Sequence, residues 1–324
     1  MTDLYVLNWA AMQAVSALEA RLRSDDDAVL IAEPRVQEFG VVDRVSWGEK
    51  HWVDIRTREA GLARVIHWRR FAKKIAEIVE KAGPIRRCYV GQLGVPMSHI
   101  AQACGAAEVV VLDAGLVTLK VARQRHQRLG LRQRFVSLVR ATIGIRGEQP
   151  KSVTFFTAYG LDVREPDRLR RHAYEQLRAA AAGGADVDET WFVGQNFVEG
   201  GMMTPERYEA AVAAGLGSAT RGSALAYVAH PRETDERLAV LAQRFGFVVR
   251  RLGHPLEIEL LKKRPRSVVG VCSSALHSAA VIGGNDVSVR AVRIGNADVI
   301  RFQDALSGLY EQLEAVGVDV VEAR

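Results

Sequence analysis

Three groups of residues in this chain set reactive side chains at the ends of short apolar runs. Asp113 leaves the run Val109-Val110-Val111-Leu112 and is followed by Ala114-Gly115. A carboxylate placed there is partly stripped of water, which favours proton uptake and suits a general base, and Gly115 leaves room for a ligand. The same carboxylate can instead cap the next helix by accepting its first N–H groups. His230 follows Ala226-Tyr227-Val228-Ala229 and precedes Pro231, which fixes the turn. Its imidazole can hydrogen-bond a phosphate, protonate a leaving group, or be satisfied by backbone groups alone. Ser273 and Ser274 follow Val268-Val269-Gly270-Val271-Cys272 and precede a helical pattern that starts at Ala275. Two hydroxyls beside the free N–H groups of a helix N-terminus suit an anion, and they equally suit a plain N-cap.

Polar or small residues end the other runs too. Asn8 to Gln13 follow the first run, and Gly194-Gln195-Asn196 follow Thr190-Trp191-Phe192-Val193. Gly253-His254-Pro255-Leu256-Glu257 follow another. Glu257 can accept the two hydroxyls of a ribose, or it can be a surface acid in the first turn of a helix. Several motifs are missing. No G-x-G-x-x-G follows the first run, and no G-x-x-x-x-G-K-[ST] occurs. Asp186-Val187-Asp188 has the spacing of a metal-binding acid pair, but it follows Gly183-Gly184 and precedes an apolar run, the place of a loop. Residues 25–27 read as a turn. The expectation is an enzyme with no metal and no bound cofactor.

The elements that must hold these residues alternate in type. Short apolar runs lie at 4–7, 28–31, 88–91, 109–113 and 153–157, then at 191–195, 225–229, 247–250 and 267–271. Helical patterns lie at 10–23, 61–81, 99–103, 117–126, 168–182, 205–214, 233–245, 275–282 and 302–316. Such alternation predicts parallel sheets with helices on both faces. Gly144, Gly147 and Pro150 place a boundary near 150. Two domains are expected, over 1–150 and 151–300, with the helix of 301–324 crossing back onto the first. Two open α/β domains facing a central cleft would bind ligands beyond their strand ends.

Composition bounds the possibilities. A chain of 324 residues with 48% hydrophobic and 25% charged residues is an ordinary globular protein, long enough for two domains. No apolar run approaches a membrane span, Asp3 stands where a leader would be basic, and three scattered cysteines (Cys88, Cys104, Cys272) suggest a reducing cytoplasm. The net charge of +6 is uneven. Between residues 116 and 151 lie Lys120, Arg123, Arg125, Arg128, Arg132, Arg134, Arg140, Arg146 and Lys151 against the single acid Glu148. This stretch is either a solvated helix face or a contact for an anionic substrate, an anionic membrane surface or nucleic acid. With Phe135 its one aromatic residue, nucleic acid is disfavoured. A homodimer is the general expectation for such a protein.

Taken in order, Asp113-Ala114-Gly115, His230-Pro231 and Ser273-Ser274 resemble a known set. The chain resembles bacterial sialyltransferases of the GT-B type, namely the lipooligosaccharide sialyltransferases of glycosyltransferase family 52 and the capsular polysialyltransferases. Those families carry an acidic motif ending in glycine, a later His-Pro motif and a Ser/Thr pair near the C-terminus. Weaker echoes are Gln13, TFFTAYG, VGQNFVEGGMMTPERYEAAV and HPLE, so the likeness runs from about residue 4 to residue 282. Two departures stand out: Ala114 replaces the second acid, and His254-Pro255 is a second His-Pro.

The resemblance implies a GT-B-like fold of two Rossmann-like domains. It implies an inverting, metal-independent transfer of sialic acid, or a related keto-sugar acid, from a CMP donor to a glycan or glycolipid acceptor. Asp113, on the acceptor-side domain with Asn8, Gln13 and Gly115, would deprotonate the acceptor. His230 would assist the departing phosphate. On the donor-side domain Ser273 and Ser274 would hold the phosphate and Glu257 the ribose, while Gly194, Gln195, Pro231 and Gly253 would frame the CMP. A transferase using a UDP- or GDP-sugar, an epimerase of the same fold, and a non-catalytic binding protein remain open alternatives.

Overall fold

Each half of the chain builds a parallel sheet from strands whose apolar runs are buried on both faces, which is why they read as near-continuous hydrophobic stretches. A computed structural model describes residues 1–8, 10–55, 61–125, 141, 145, 148–181, 184–217, 222–295 and 303–322. It divides into two compact units, Met1–His172 and Ala173–Arg324.

Among the described residues the first unit has seven strands: β1 (Thr2–Leu7), β2 (Asp27–Ala32), β3 (Glu49–Trp52), β4 (Ile85–Val90), β5 (Glu108–Leu112), β6 (Thr154–Thr157) and β7 (Arg168–Arg171). They lie in the order β3-β2-β1-β4-β5-β6-β7. The helices α1 (Ala11–Leu22), α2 (Gly61–Ala82), α3 (Val95–Ala103) and α4 (Leu116–Gln124) connect them. Leu4, Val6, Ile31, Phe71, Ile75, Ile100, Val111 and Phe155 belong to one core cluster. Tyr5 pairs with Tyr89 across β1 and β4, and their rings stack at 4.2 Å.

The second unit repeats the plan with β8 (Ala185–Val193), β9 (Ala224–Val228), β10 (Val248–Arg250), β11 (Lys263–Val271), β12 (Ser288–Arg293) and β13 (Asp319–Glu322). Their order is β10-β9-β8-β11-β12-β13. The described helices are α5 (Glu175–Ala180), α6 (Pro205–Gly217), α7 (Asp235–Phe245), α8 (Leu256–Lys262), α9 (Ser274–Gly283) and α10 (Gln303–Ala315). Each sheet reverses its direction of growth once, between β1 and β4 and between β8 and β11. In doubly wound sheets that reversal opens a crevice beyond the carboxyl ends of the two strands.

Four expectations change. The first unit extends past residue 150, because β6 and β7 pair onto β5, with Val110 opposite Thr154 and Thr154 opposite Arg168. The helix expected over 168–182 is a strand followed by a short helix, since Asp167 accepts the Val153 N–H at 2.9 Å and pins Arg168–Arg171 beside β6. The terminal helix packs within the second unit, where α10 lies on α9 and leads into β13, the partner of β12. Asp186 and Asp188 lie in β8 rather than a loop, two residues apart on one face, paired with Arg264 at 2.9 Å and Arg266 at 3.4 Å. Among the described residues no helix is long and apolar enough to cross a membrane.

Close helix-to-sheet packing in the second unit depends on Gly215 of α6. A Cβ there would stand 2.7 Å from Phe192 Cε2, 3.1 Å from Val292 Cγ2 and 3.2 Å from Val269 Cγ1. Gly215→Val should therefore destabilise the protein by about 1–3 kcal/mol, the usual cost of overpacking. Urea denaturation followed by circular dichroism measures this, and an unchanged midpoint would contradict the contact.

Candidate functional site

In the second unit one side chain ties together the carboxyl ends of the two strands at the reversal point. Gln195, just past β8, donates from Nε2 to Gly194 O at 2.8 Å and to Ser273 Oγ, just past β11, at 3.0 Å. Ser273 is the N-cap of α9, and its Oγ accepts the Ala275 N–H at 3.2 Å. With two donors already on its oxygen, the serine keeps its own proton for another partner. Ser274, the first residue of α9, is half-buried beside it. The capping expectation for Ser273 is therefore met, and it leaves donors of the pair and of the helix end in one place.

His230 follows β9 and forms a tight turn with Pro231, Arg232 and Glu233. The Arg232 N–H donates to His230 Nδ1 at 3.2 Å, which leaves the ring proton of the neutral imidazole on Nε2. Burial, and then the neighbouring Arg232 charge, lower the His230 pKa against the opposing pull of Glu199. At neutral pH the ring is an uncharged donor. Pro231 is exposed at the turn.

Glu233 lies beneath this turn, 2% exposed. Its Oε2 accepts the His230 N–H at 2.7 Å and its Oε1 accepts the Tyr227 hydroxyl at 2.6 Å. The Tyr227 and Tyr208 hydroxyls are 2.8 Å apart, and the Tyr208 oxygen accepts the Gln195 N–H at 2.8 Å. Arg237 of α7 stacks over the Tyr208 ring at 5.0 Å and stands 3.8 Å from Glu199. Burial pushes the Glu233 carboxyl up to about 7, against the two hydrogen bonds that favour its ionised form. Burial likewise raises both tyrosines. Motif matching assigned no role to Tyr208, Tyr227, Glu199 or Arg237, although Glu199 and Tyr208 lie within the echo VGQNFVEGGMMTPERYEAAV. The signal for Glu233 was its place three residues after His230.

Glu257 is not a surface acid. It is buried in the first turn of α8, where burial raises its pKa and the Ser278 hydroxyl, 3.3 Å from Tyr174 OH, bonds it. Gly253 is exposed, with open space where a side chain would project, and His254 is half-buried next to it.

In the first unit the carboxyl ends of β1 and β4 are bridged in a similar way. Asn8, past β1, donates its N–H to Gln13 Oε1 at 3.2 Å and accepts the Ala10 N–H on Oδ1 at 3.2 Å. The Gln13 side chain fills the space above Gly91, where a Cβ would lie 1.8 Å from Gln13 Cδ. Asp113, past β5, is fully buried. It does not cap the next helix, because Gly115 holds the N-cap of α4 at φ 65°, a conformation that glycine adopts at least cost. Asp113 Oδ2 instead accepts the Ala158 N–H at 2.8 Å and lies 3.4 Å from His172 Nε2, while Oδ1 has no hydrogen-bond partner among the described residues. His172 stacks on Phe156 at 4.4 Å. Sequence patterns gave no hint of His172, which sits where a helix was expected.

Of the basic stretch, Arg128, Arg132, Arg134, Arg140 and Arg146 lie outside the described residues, as does Phe135. Arg125 is committed to the fold, its Nε 3.1 Å from Asp167 Oδ2. Among the described residues no group of three or more His, Cys, Asp or Glu is placed to hold a metal ion.

The raised Glu233 carboxyl makes stability depend on pH. Its folded value of about 7 exceeds the ordinary 4.5, so the folded state binds the proton more tightly. Its contribution is fully present below about 4.5 and is lost as pH rises through about 7. The wild type should lose up to about 3 kcal/mol over that range relative to Glu233→Gln, at about 1.4 kcal/mol per pH unit. Urea midpoints at several pH values check this, and parallel pH profiles would exclude it.

The segment 154–289 matches the family model of alpha-2,8-polysialyltransferase (POLYST). It contains Gly194, Gln195, His230, Pro231, Gly253, Glu257, Ser273 and Ser274, and it excludes Asn8, Gln13, Asp113 and Gly115. Comparison with curated proteins finds no match. Among solved structures, the spinosyn forosaminyltransferase SpnP superposes with a TM-score of 0.56 at 11% identity, over 99% of this chain and 85% of that one. The alpha/beta-galactoside alpha-2,3-sialyltransferase of Photobacterium phosphoreum gives 0.54 at 12% identity, over 98% of each chain. The UDP-GlcNAc 2-epimerase of Methanocaldococcus jannaschii gives 0.53 at 11% identity, over 97% of this chain and 93% of that one. Likeness at such identities shows the fold alone, which is GT-B-like. On that fold, residues 154–289 are similar to the alpha-2,8-polysialyltransferase (POLYST) family model.

Proposed function

We propose that this protein moves sialic acid, or a related keto-sugar acid, from a CMP donor to a glycan acceptor, with inversion and without a metal. The observation that carries this reading is the joining of the His230 turn and the Ser273 cap at one sheet reversal, inside the segment that matches the polysialyltransferase model. In this scheme the bond between the anomeric carbon and the phosphate oxygen breaks as the acceptor oxygen attacks the opposite face. The tertiary anomeric carbon supports an oxocarbenium-like transition state, so positioning and neutralisation of the leaving phosphate dominate. His230 Nε2–H, the Ser273 and Ser274 hydroxyls and the N-terminal N–H groups of α9 take up the developing phosphate charge. Asp113 takes the acceptor proton on its buried Oδ1, which has no hydrogen-bond partner among the described residues. Glu257 contributes by packing α8 against α9, since Ser278 already engages its carboxyl.

Thermal-shift measurements test the donor class: CMP should raise Tm, while UDP and GDP should not. Stabilisation by UDP alone would move the protein to another nucleotide-sugar chemistry. With CMP-sialic acid and a glycan acceptor, Asp113→Ala should lower turnover about 10²–10⁴-fold, the usual worth of a positioned base. Near-normal CMP release by that variant would remove Asp113 from the mechanism.

A further inference from the structure

Two buried hydroxyls and one buried carboxylate in the second unit take no direct part in the transfer just described. The donors along them can be assigned one by one. Glu233 accepts on both oxygens, from the His230 N–H and the Tyr227 hydroxyl. With the Tyr227 proton so committed, the 2.8 Å contact between the tyrosines requires Tyr208 as donor. The Tyr208 oxygen in turn accepts the Gln195 N–H, and Gln195 Nε2 reaches Ser273 Oγ. With Glu233 ionised, the Gln195 backbone N–H and the Tyr208 and Tyr227 hydroxyls all point toward it, while the Gln195 side-chain amide points the other way, to Ser273. One end fixes the backbone of the turn that presents His230, and the other fixes the serine oxygen so that its proton faces another partner. Position 194 is built for this relay: a Cβ there would stand 2.4 Å from Glu233 Oε2 and 2.6 Å from Tyr227 Cε1.

We propose that Tyr208 and Tyr227 are positioning residues for the transfer, acting through Glu233 on His230 and through Gln195 on Ser273. The two groups that meet the leaving phosphate are thereby set as one preorganised pair. This rests on the roles given above to His230 and Ser273. Preorganisation matters here because a donor aimed in advance spends nothing on reorientation during the reaction. A core hydrogen bond with no such role would affect stability alone.

The test is a double-mutant cycle in CMP-sugar transfer, with CMP affinity and Tm measured on every variant. Tyr227→Phe and Tyr208→Phe each delete one hydroxyl and keep the rings, so the stacking of Tyr227 on Phe192 at 5.4 Å and on Phe247 at 4.7 Å persists. Each change should lower kcat about 10²-fold, the scale of a small misplacement of a reacting group, while CMP still binds. In a His230→Ala background Tyr227→Phe should cost much less than in the wild type, because one of the two groups it positions is gone and only the arm to Ser273 is left to disturb. Full additivity with His230→Ala, or wild-type kcat in both tyrosine variants, overturns the proposal. If Tyr227→Phe does not fold, Tyr208→Phe, one hydroxyl further from the carboxylate, decides the matter by the same cycle. If His230→Ala itself keeps normal turnover, the phosphate role of His230 fails and the proposal falls with it, an outcome distinct from additivity.

Discussion

A carboxylate shut away from water dictates how the second unit is arranged. Glu233 can remain beneath the His230 turn because both of its oxygens find donors, and those donors in turn need partners of their own. Meeting that demand draws in Tyr227 of β9, Tyr208 of α6 and Gln195 beyond β8, and ends at the cap of α9. The missing side chain at Gly194 and the two-donor serine oxygen are consequences of the same arrangement. Burial and hydrogen bonding pull the Glu233 carboxyl in opposite directions, and burial prevails.

The two sheets share one strand order over six strands, and each bridges its reversal point with a glutamine. Gln195 spans β8 and β11 by bonding the serine cap, and Gln13 spans β1 and β4 by filling the space above Gly91. The physical need is common to both. Parallel strands end in unpaired backbone groups, and a long amide side chain can satisfy or cover them while leaving the crevice polar. The units differ in how they treat charge. The first keeps Asp113 fully enclosed, with an amide N–H and His172 close by, whereas the second sets a half-buried imidazole at a turn.

The family segment, 154–289, takes in the whole Glu233 relay and begins at β6, inside the first unit. Asp113 lies before it, so the proposal that it acts as base rests on burial and on an oxygen with no hydrogen-bond partner among the described residues.

Much of the fold was legible because local chemistry wrote it. Val109-Val110-Val111-Leu112 and Val268-Val269-Gly270-Val271 can only be strands buried on both faces, and Ser273 before a helical pattern reads as a cap. Asp113, His230 and Ser273 were marked by standing at the ends of such runs. What only the tertiary structure decided are the pairings that cost nothing locally. Arg168–Arg171 looks helical until Asp167 and β6 make it a strand, and Glu257 looks like a surface acid until α9 covers it. The hydroxyls of Tyr208 and Tyr227 carry no sequence signal, because residues 19 positions apart meet only once their helix and strand pack together. Periodicity reports which face of an element is buried; which polar atoms then face each other is settled by packing.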